Sequence, residues 1–171
     1  LSAAQLGLWM KYQMMPASPA FLTGIGCRLR GRLDAERLHK SIQAVTAASD
    51  ALRTCFGLDA DQPVQHVRSS VEAPFAQSQI ERGELPEWDD TPFDITRGAL
   101  FDTLLLQDGP DSWMWRTRFC HLIVDGVGLL AYVRAVMQAY RQLGAGEPPT
   151  LCVAGSFQSA LEDDVRYRAS E

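Results

Sequence analysis

The sequence predicts an α+β fold, an α/β two-layer sandwich in which a mixed sheet is covered by helices. Apolar and polar residues alternate with period two along 21–33, the mark of a half-buried strand. Apolar residues recur at three- and four-residue spacing along 34–48 and 127–143, the mark of helices packed on one side. Turn-forming clusters at 59–63 and 108–111 separate apolar runs, as hairpins require.

Taken in order, Ala3, Leu6, Leu8, Trp9, Tyr12 and Met14 form an amphipathic opening with Ser2 as N-cap. Pro16 and Pro19 break it, so a first helix ends near Met15. Ile25, Cys27 and Leu29 alternate with Gly26, Arg28 and Arg30 in a strand that Gly31 ends. Asp34 caps a second helix carrying Leu38, Ile42 and Val45. Leu52–Leu58 and Val64–Val67 flank the polar loop 59–63 as a hairpin, and a further strand is expected between Val71 and Ile80. Glu81–Thr96, with Gly83, Pro86 and Pro92, reads as an irregular surface connection. Phe101–Gln107 and Trp113–His121 should pair antiparallel across Asp108-Gly109-Pro110-Asp111. A helix from about Val127 to Leu143 follows, with Gly144 at its C-cap. This predicts a core lobe over 1–143, a linker over 144–155 and a last helix within 156–171, centred on Phe157–Tyr167.

With 21 acidic and 16 basic residues among 171, the net charge is −5. No Lys/Arg cluster extends beyond Arg28, Arg30 and Arg32, which argues against nucleic acid or a membrane surface as partner. The richest apolar stretch, Phe119–Val133, is interrupted by His121 and Asp125 and is too short to span a bilayer. Cys27, Cys55, Cys120 and Cys152 stand singly, without the spacing of a zinc site, and read as reduced thiols of a cytosolic protein. The opening Leu1–Trp9 lacks an initiator Met and a basic leader, so the chain reads as an excised piece of a larger protein.

One polar constellation stands out: Cys120-His121-Leu122-Ile123-Val124-Asp125-Gly126, at a strand-to-helix junction. Strand alternation puts Trp113, Trp115, Thr117, Phe119 and His121 on one face and Met114, Arg116, Arg118 and Cys120 on the other. Cys120 and His121 are thereby expected to point apart, which disfavours a Cys/His nucleophile pair or a shared metal. His121 is the single candidate here for proton transfer near neutral pH. From the residues alone two readings stand: a site built on His121, or a hydrogen-bonded strand histidine followed by Asp125 as a plain helix cap. His39 and His66 have no comparable polar neighbours.

Four stretches, in order, resemble the N-terminal half of a condensation domain from a nonribosomal peptide synthetase. Leu1-Ser2-Ala3-Ala4-Gln5-Leu6-Gly7-Leu8-Trp9 is similar to that family's first motif, with Gly7 in place of a frequent Arg. Ala51-Leu52-Arg53-Thr54-Cys55-Phe56 matches its Leu-Arg-Thr-x-Phe motif, although Ala48-Ser49-Asp50 departs from the residues that often precede it. Pro92-Phe93-Asp94-Ile95-Thr96-Arg97-Gly98-Ala99-Leu100 resembles the family's proline-phenylalanine-aspartate stretch before the central hairpin. Residues 120–126 resemble its active-site motif His-His-x-x-x-Asp-Gly, with Cys120 in the first position.

The resemblance implies one lobe of a V-shaped, chloramphenicol acetyltransferase-like enzyme, with the C-terminal lobe outside this chain. It implies amide-bond formation between a donor thioester and an acceptor amine, both held on the phosphopantetheine of peptidyl carrier proteins. No directly bound cofactor and no metal are implied. His121 would be catalytic, with Cys120, Asp125 and Gly126 supporting the motif and Arg53 in a structural ion pair. The C-terminal lobe and adjacent synthetase domains would be the other partners. Two further readings stay open: an epimerisation domain using the same histidine, and a silent recruiting domain, which the Cys120 departure motivates. Two Lys, Lys11 and Lys40, beside fourteen Arg point to a GC-rich bacterial source and hence to a bacterial cytoplasm.

Overall fold

The computed structural model describes residues 1–151, 162–163 and 166–167. Within residues 1–151, three α-helices, α1 (Ala3–Met14), α2 (Ala35–Ala48) and α3 (Gly126–Gly144), accompany six strands. These are β1 (Leu22–Arg30), β2 (Thr54–Asp59), β3 (Gln62–Val67), β4 (Phe75–Gln79), β5 (Phe101–Gly109) and β6 (Ser112–Cys120). A four-stranded sheet runs β1-β6-β5-β4, and β2 and β3 pair apart from it. β6 is antiparallel to both neighbours while β4 runs parallel to β5, so the sheet is mixed, as expected.

Each helix begins where its cap stands. Ser2 Oγ accepts from Gln5 N–H while Gln5 Oε1 accepts from Ser2 N–H, a reciprocal box that satisfies two orphan donors. Asp34 and Asp125 accept from the N–H groups of Arg37 and Gly128. Leu38, Ile42 and Val45 of α2 meet Leu129, Tyr132 and Val136 of α3 over Phe101, Leu105, Trp115 and Phe119 of the sheet. This single core faces one side of the sheet and holds the ends of β6 and α3 in fixed relation.

Several local expectations are corrected. The β2–β3 turn is only Ala60-Asp61, both at positive φ (45° and 64°), and Pro63 is inside β3 opposite Leu58. In a two-residue hairpin that second pair exchanges no ladder hydrogen bonds, so the missing proline N–H costs nothing there. The strand expected over 71–80 is confined to Phe75–Gln79. Gln43 explains why: its amide donates to Val71 O (2.9 Å) and accepts from Ala73 N–H (2.8 Å), replacing a sheet neighbour. β5 runs on to Gly109, with an irregularity between Gln107 and Gly109, and the turn shrinks to 110–111. Asp108, at that irregularity, is paired with Arg28 at 2.8 Å.

The connection 81–96 has no regular structure, yet it is more than surface. Trp88 lies on Gly24 and Gly26 of β1, where a Cβ at Gly24 would stand 3.0 Å from the indole. Ile95 is buried and its carbonyl accepts from Phe56 N–H at 2.7 Å. Gly144 is the last residue of α3 rather than its cap. The left-handed residue is Gly146 (φ 76°), and Glu147 N–H to Gln142 O with Gly146 N–H to Leu143 O closes a Schellman motif. The helix expected within 156–171 and the end of the linker lie outside the described residues, except for isolated positions. Among the described residues no helix is long and apolar enough to cross a membrane.

Candidate functional site

β6 delivers the 120–126 segment and α3 carries it away. Cys120 N–H donates to Leu100 O (2.8 Å) and His121 N–H to Phe21 O (2.7 Å), so the segment leaves the sheet anchored on both sides. Ile123 N–H then turns back onto Cys120 O at 3.1 Å. That turn ends the strand at Cys120, and the alternation used to aim His121 stops one residue short of it.

The His121 ring is held by its own loop: Nδ1 is 2.9 Å from Val124 O. A carbonyl oxygen only accepts, so Nδ1 carries the proton in this bond. In the neutral ring Nε2 then keeps its lone pair, the tautomer a proton acceptor needs. His121 is half-buried, a position reachable by substrate yet braced by protein.

Cys120 has a different surrounding. It is 2% exposed and belongs to the core, and burial pushes its thiol up to about 11. A thiol held neutral in this way is not a nucleophile at neutral pH. Burial first, and then the neighbouring Cys120, raise the Tyr12 phenol of α1 above its ordinary value.

Asp125 acts on the helix. Its Oδ1 accepts from Gly128 N–H at 2.8 Å and its backbone oxygen from Leu129 N–H at 2.9 Å. The loop is therefore oriented by capping, and among the described residues Asp125 has no ion pair. Gly126 is the first residue of α3, and nothing stands within 4 Å of where its Cβ would be. At Gly128 a Cβ would stand 2.6 Å from Val124 Cγ2, against the residue that holds the His121 ring. Arg53 is not brought to the motif: it pairs with Asp50 at 2.7 Å and donates to Arg68 O, fastening the entry of β2 to the exit of β3. His39 stacks on Phe75 with centroids 4.8 Å apart, and its Nε2 lies 3.3 Å from Ala73 O, a packing role. Among the described residues no three His, Cys, Asp or Glu side chains gather as a metal site.

Sequence reasoning placed Gln5 in the first motif but gave it no role. Its Oε1 completes the α1 capping box, and its Nε2 donates to Leu122 O at 3.1 Å across 117 residues. Only 8% exposed, it clasps the first helix to the motif loop. The Ser-x-x-Gln spacing was visible as a capping box, but the bond to Leu122 has no local signature. Gln5→Ala should lower unfolding free energy by about 1–3 kcal/mol in urea titration, from the lost cap and the unsatisfied Leu122 carbonyl. Gln5→Glu retains the cap acceptor but sets a carboxylate against that carbonyl. It should be destabilised at pH 7 and partly recover as the carboxyl is protonated.

Comparison with known proteins identifies the family and the fold. The family profile described as "Condensation domain" matches residues 1–171. Among curated relatives, the dimodular nonribosomal peptide synthase of Bacillus subtilis (strain 168) is 27% identical over 180 residues, covering 100% of this chain and 8% of the relative. The isonitrile lipopeptide synthase of Streptomyces coeruleorubidus is 29% identical over 185 residues, covering 99% and 12%. The chain thus spans only a small part of these relatives. The starter condensation domain of rhizomide synthetase RzmA superposes with a TM-score of 0.87 at 27% identity, over 98% of this chain and 43% of that one. The first condensation domain of the calcium-dependent antibiotic synthetase shares the fold, with a TM-score of 0.90 at 20% identity over 99% and 43%. From end to end, then, the chain belongs to the condensation-domain family of nonribosomal peptide synthetases.

Proposed function

We propose that this chain is the N-terminal lobe of a domain that forms peptide bonds between two carrier-bound substrates, with His121 at the reacting centre. The observation that carries the reading is the His121 Nδ1–H bond to Val124 O, which leaves Nε2 free to receive a proton. The acceptor amine attacks the donor thioester carbon, the new C–N bond forms, and the C–S bond breaks. The thiol departs on the donor's phosphopantetheine arm. His121 Nε2 holds the amine and takes the proton it loses, then returns a proton to the departing sulfur.

Support for the developing thioester oxygen comes from the start of α3. Asp125 already occupies the N–H groups of Gly128 and Leu129. Those of Gly126 and Val127 have no described acceptor and lie at the positive end of the helix dipole. In this reading Asp125 moves no proton; it fixes the helix terminus that carries those donors. The carriers bring the phosphopantetheine, the C-terminal lobe supplies the opposite wall, and the chain serves in the bacterial cytoplasm.

The reading is tested by incubating the two-lobe domain with donor- and acceptor-loaded carriers in deuterated buffer, with mass spectrometry of the products. Amide on the acceptor carrier supports it. Deuterium at the donor α-carbon without amide would instead show epimerisation, and carrier binding with neither product would show recruitment.

A further inference from the structure

The sheet face opposite the core carries a second feature, independent of the condensation reading. The strand register sets Gly26, Arg116, Leu104 and Ala76 in one row across β1, β6, β5 and β4. Gly26 has no side chain, and neither does Gly24 in the next row, so the indole of Trp88 settles directly on the sheet. Its ring lies 3.9 Å from the Arg116 guanidinium carbon. Beyond Trp88 the row opens into a cleft of about 410 Å³ that Leu104, Ala76, Phe75 and Arg116 line. That volume falls within the range of small-molecule sites.

Two arginines border this cleft, and only one is neutralised. Arg118 grips Asp102 at 2.6 Å and Asp89 at 2.9 Å. Arg116 is 6% exposed and has no ion pair among the described residues; its one described hydrogen bond is from Nη1 to Pro86 O at 2.5 Å. Burial without a counter-charge pulls its pKa down. A buried cation is costly unless an anion joins it, and a guanidinium has five N–H donors in a fork that fits a carboxylate. Glu87, Asp89 and Asp102 also border the cleft, Asp89 and Asp102 being taken up by Arg118; three carboxylates disfavour a doubly charged phosphate and leave room for a single negative charge set directly on Arg116.

We propose that this cleft binds a small monocarboxylate with an apolar body, the carboxylate on Arg116 and the body over Leu104 against Trp88.

The probe is 3-phenylpropanoate, titrated calorimetrically into the 171-residue chain, with 3-phenylpropanamide as its neutral isostere. The acid should bind at least about tenfold more tightly than the amide, a factor worth 1.4 kcal/mol. Arg116→Met should abolish that preference, and Leu104→Trp should fill the cleft and weaken acid binding by a similar factor. Thermal unfolding of both variants checks that they fold; if Arg116→Met does not, Leu104→Trp and the acid–amide pair decide. Equal affinity for acid and amide would overturn the proposal. So would no binding of the acid below about 10 mM, the weak limit for a ligand of this size, or binding that Leu104→Trp leaves unchanged. A probe that binds this chain but is shut out of the longer two-lobe domain would show that the rest of the domain covers the cleft, which also overturns a free-ligand site.

Discussion

His121→Ala in the two-lobe domain is expected to lower condensation by 10²- to 10⁴-fold, the usual cost of removing a positioned acid–base group. The expectation rests on where the ring is held. Its Nδ1 is committed to Val124 O, so the catalytic work falls to Nε2, and no other described side chain in 120–126 can replace it. Cys120 is a buried neutral thiol and Asp125 is engaged in capping. The fold should survive, because the ring contributes one partly buried hydrogen bond, worth about 1 kcal/mol. Product formation from loaded carriers, followed by mass spectrometry under single turnover, is the measurement. A rate within about threefold of wild type would exclude His121 as the acid–base group.

The 171-residue chain by itself should fold and yet fail to condense substrates. Folding follows from a continuous core in which Trp115, Phe119, Leu38, Ile42 and Val136 are almost wholly buried. Failure follows from what surrounds His121. Val127 is 77% exposed and Leu130 53% exposed on the helix that leaves the motif, so among the described residues that side of the site has no opposite wall. Holding both reactants in place is worth up to about 7–11 kcal/mol, far beyond what one histidine supplies. The uncovered apolar residues, with Met10 and Met14 on α1, should also drive weak self-association, visible as concentration-dependent sedimentation. Amide product from this chain alone, with both carriers loaded, would refute the shared-site reading.

What the residues declared by themselves was local. Ser2, Asp34 and Asp125 cap their helices because a cap acts on N–H groups within three residues. The pairing of β5 with β6 and the helices at 35–48 and 126–144 follow from periodicities complete within one element. The motif at 120–126 was legible for the same reason: its residues are contiguous, and their resemblance to a family pattern needs no folding to be seen.

Tertiary structure decided what depends on residues far apart in the chain. Gln43 ends a strand that alternation alone would have extended, and Trp88, from a segment with no period, covers Gly24 and Gly26 on the far face of the sheet. Gln5 reaches Leu122 across 117 positions. The tautomer of His121 depends on a turn that strand alternation does not foresee. Gly144, placed as a cap by its position, instead lies against the side chain of Arg37, and the left-handed turn passes to Gly146. Helix and strand propensity is settled among near neighbours, whereas a buried polar group takes whichever partner the packed fold brings within hydrogen-bond reach, and sequence spacing carries no record of that choice.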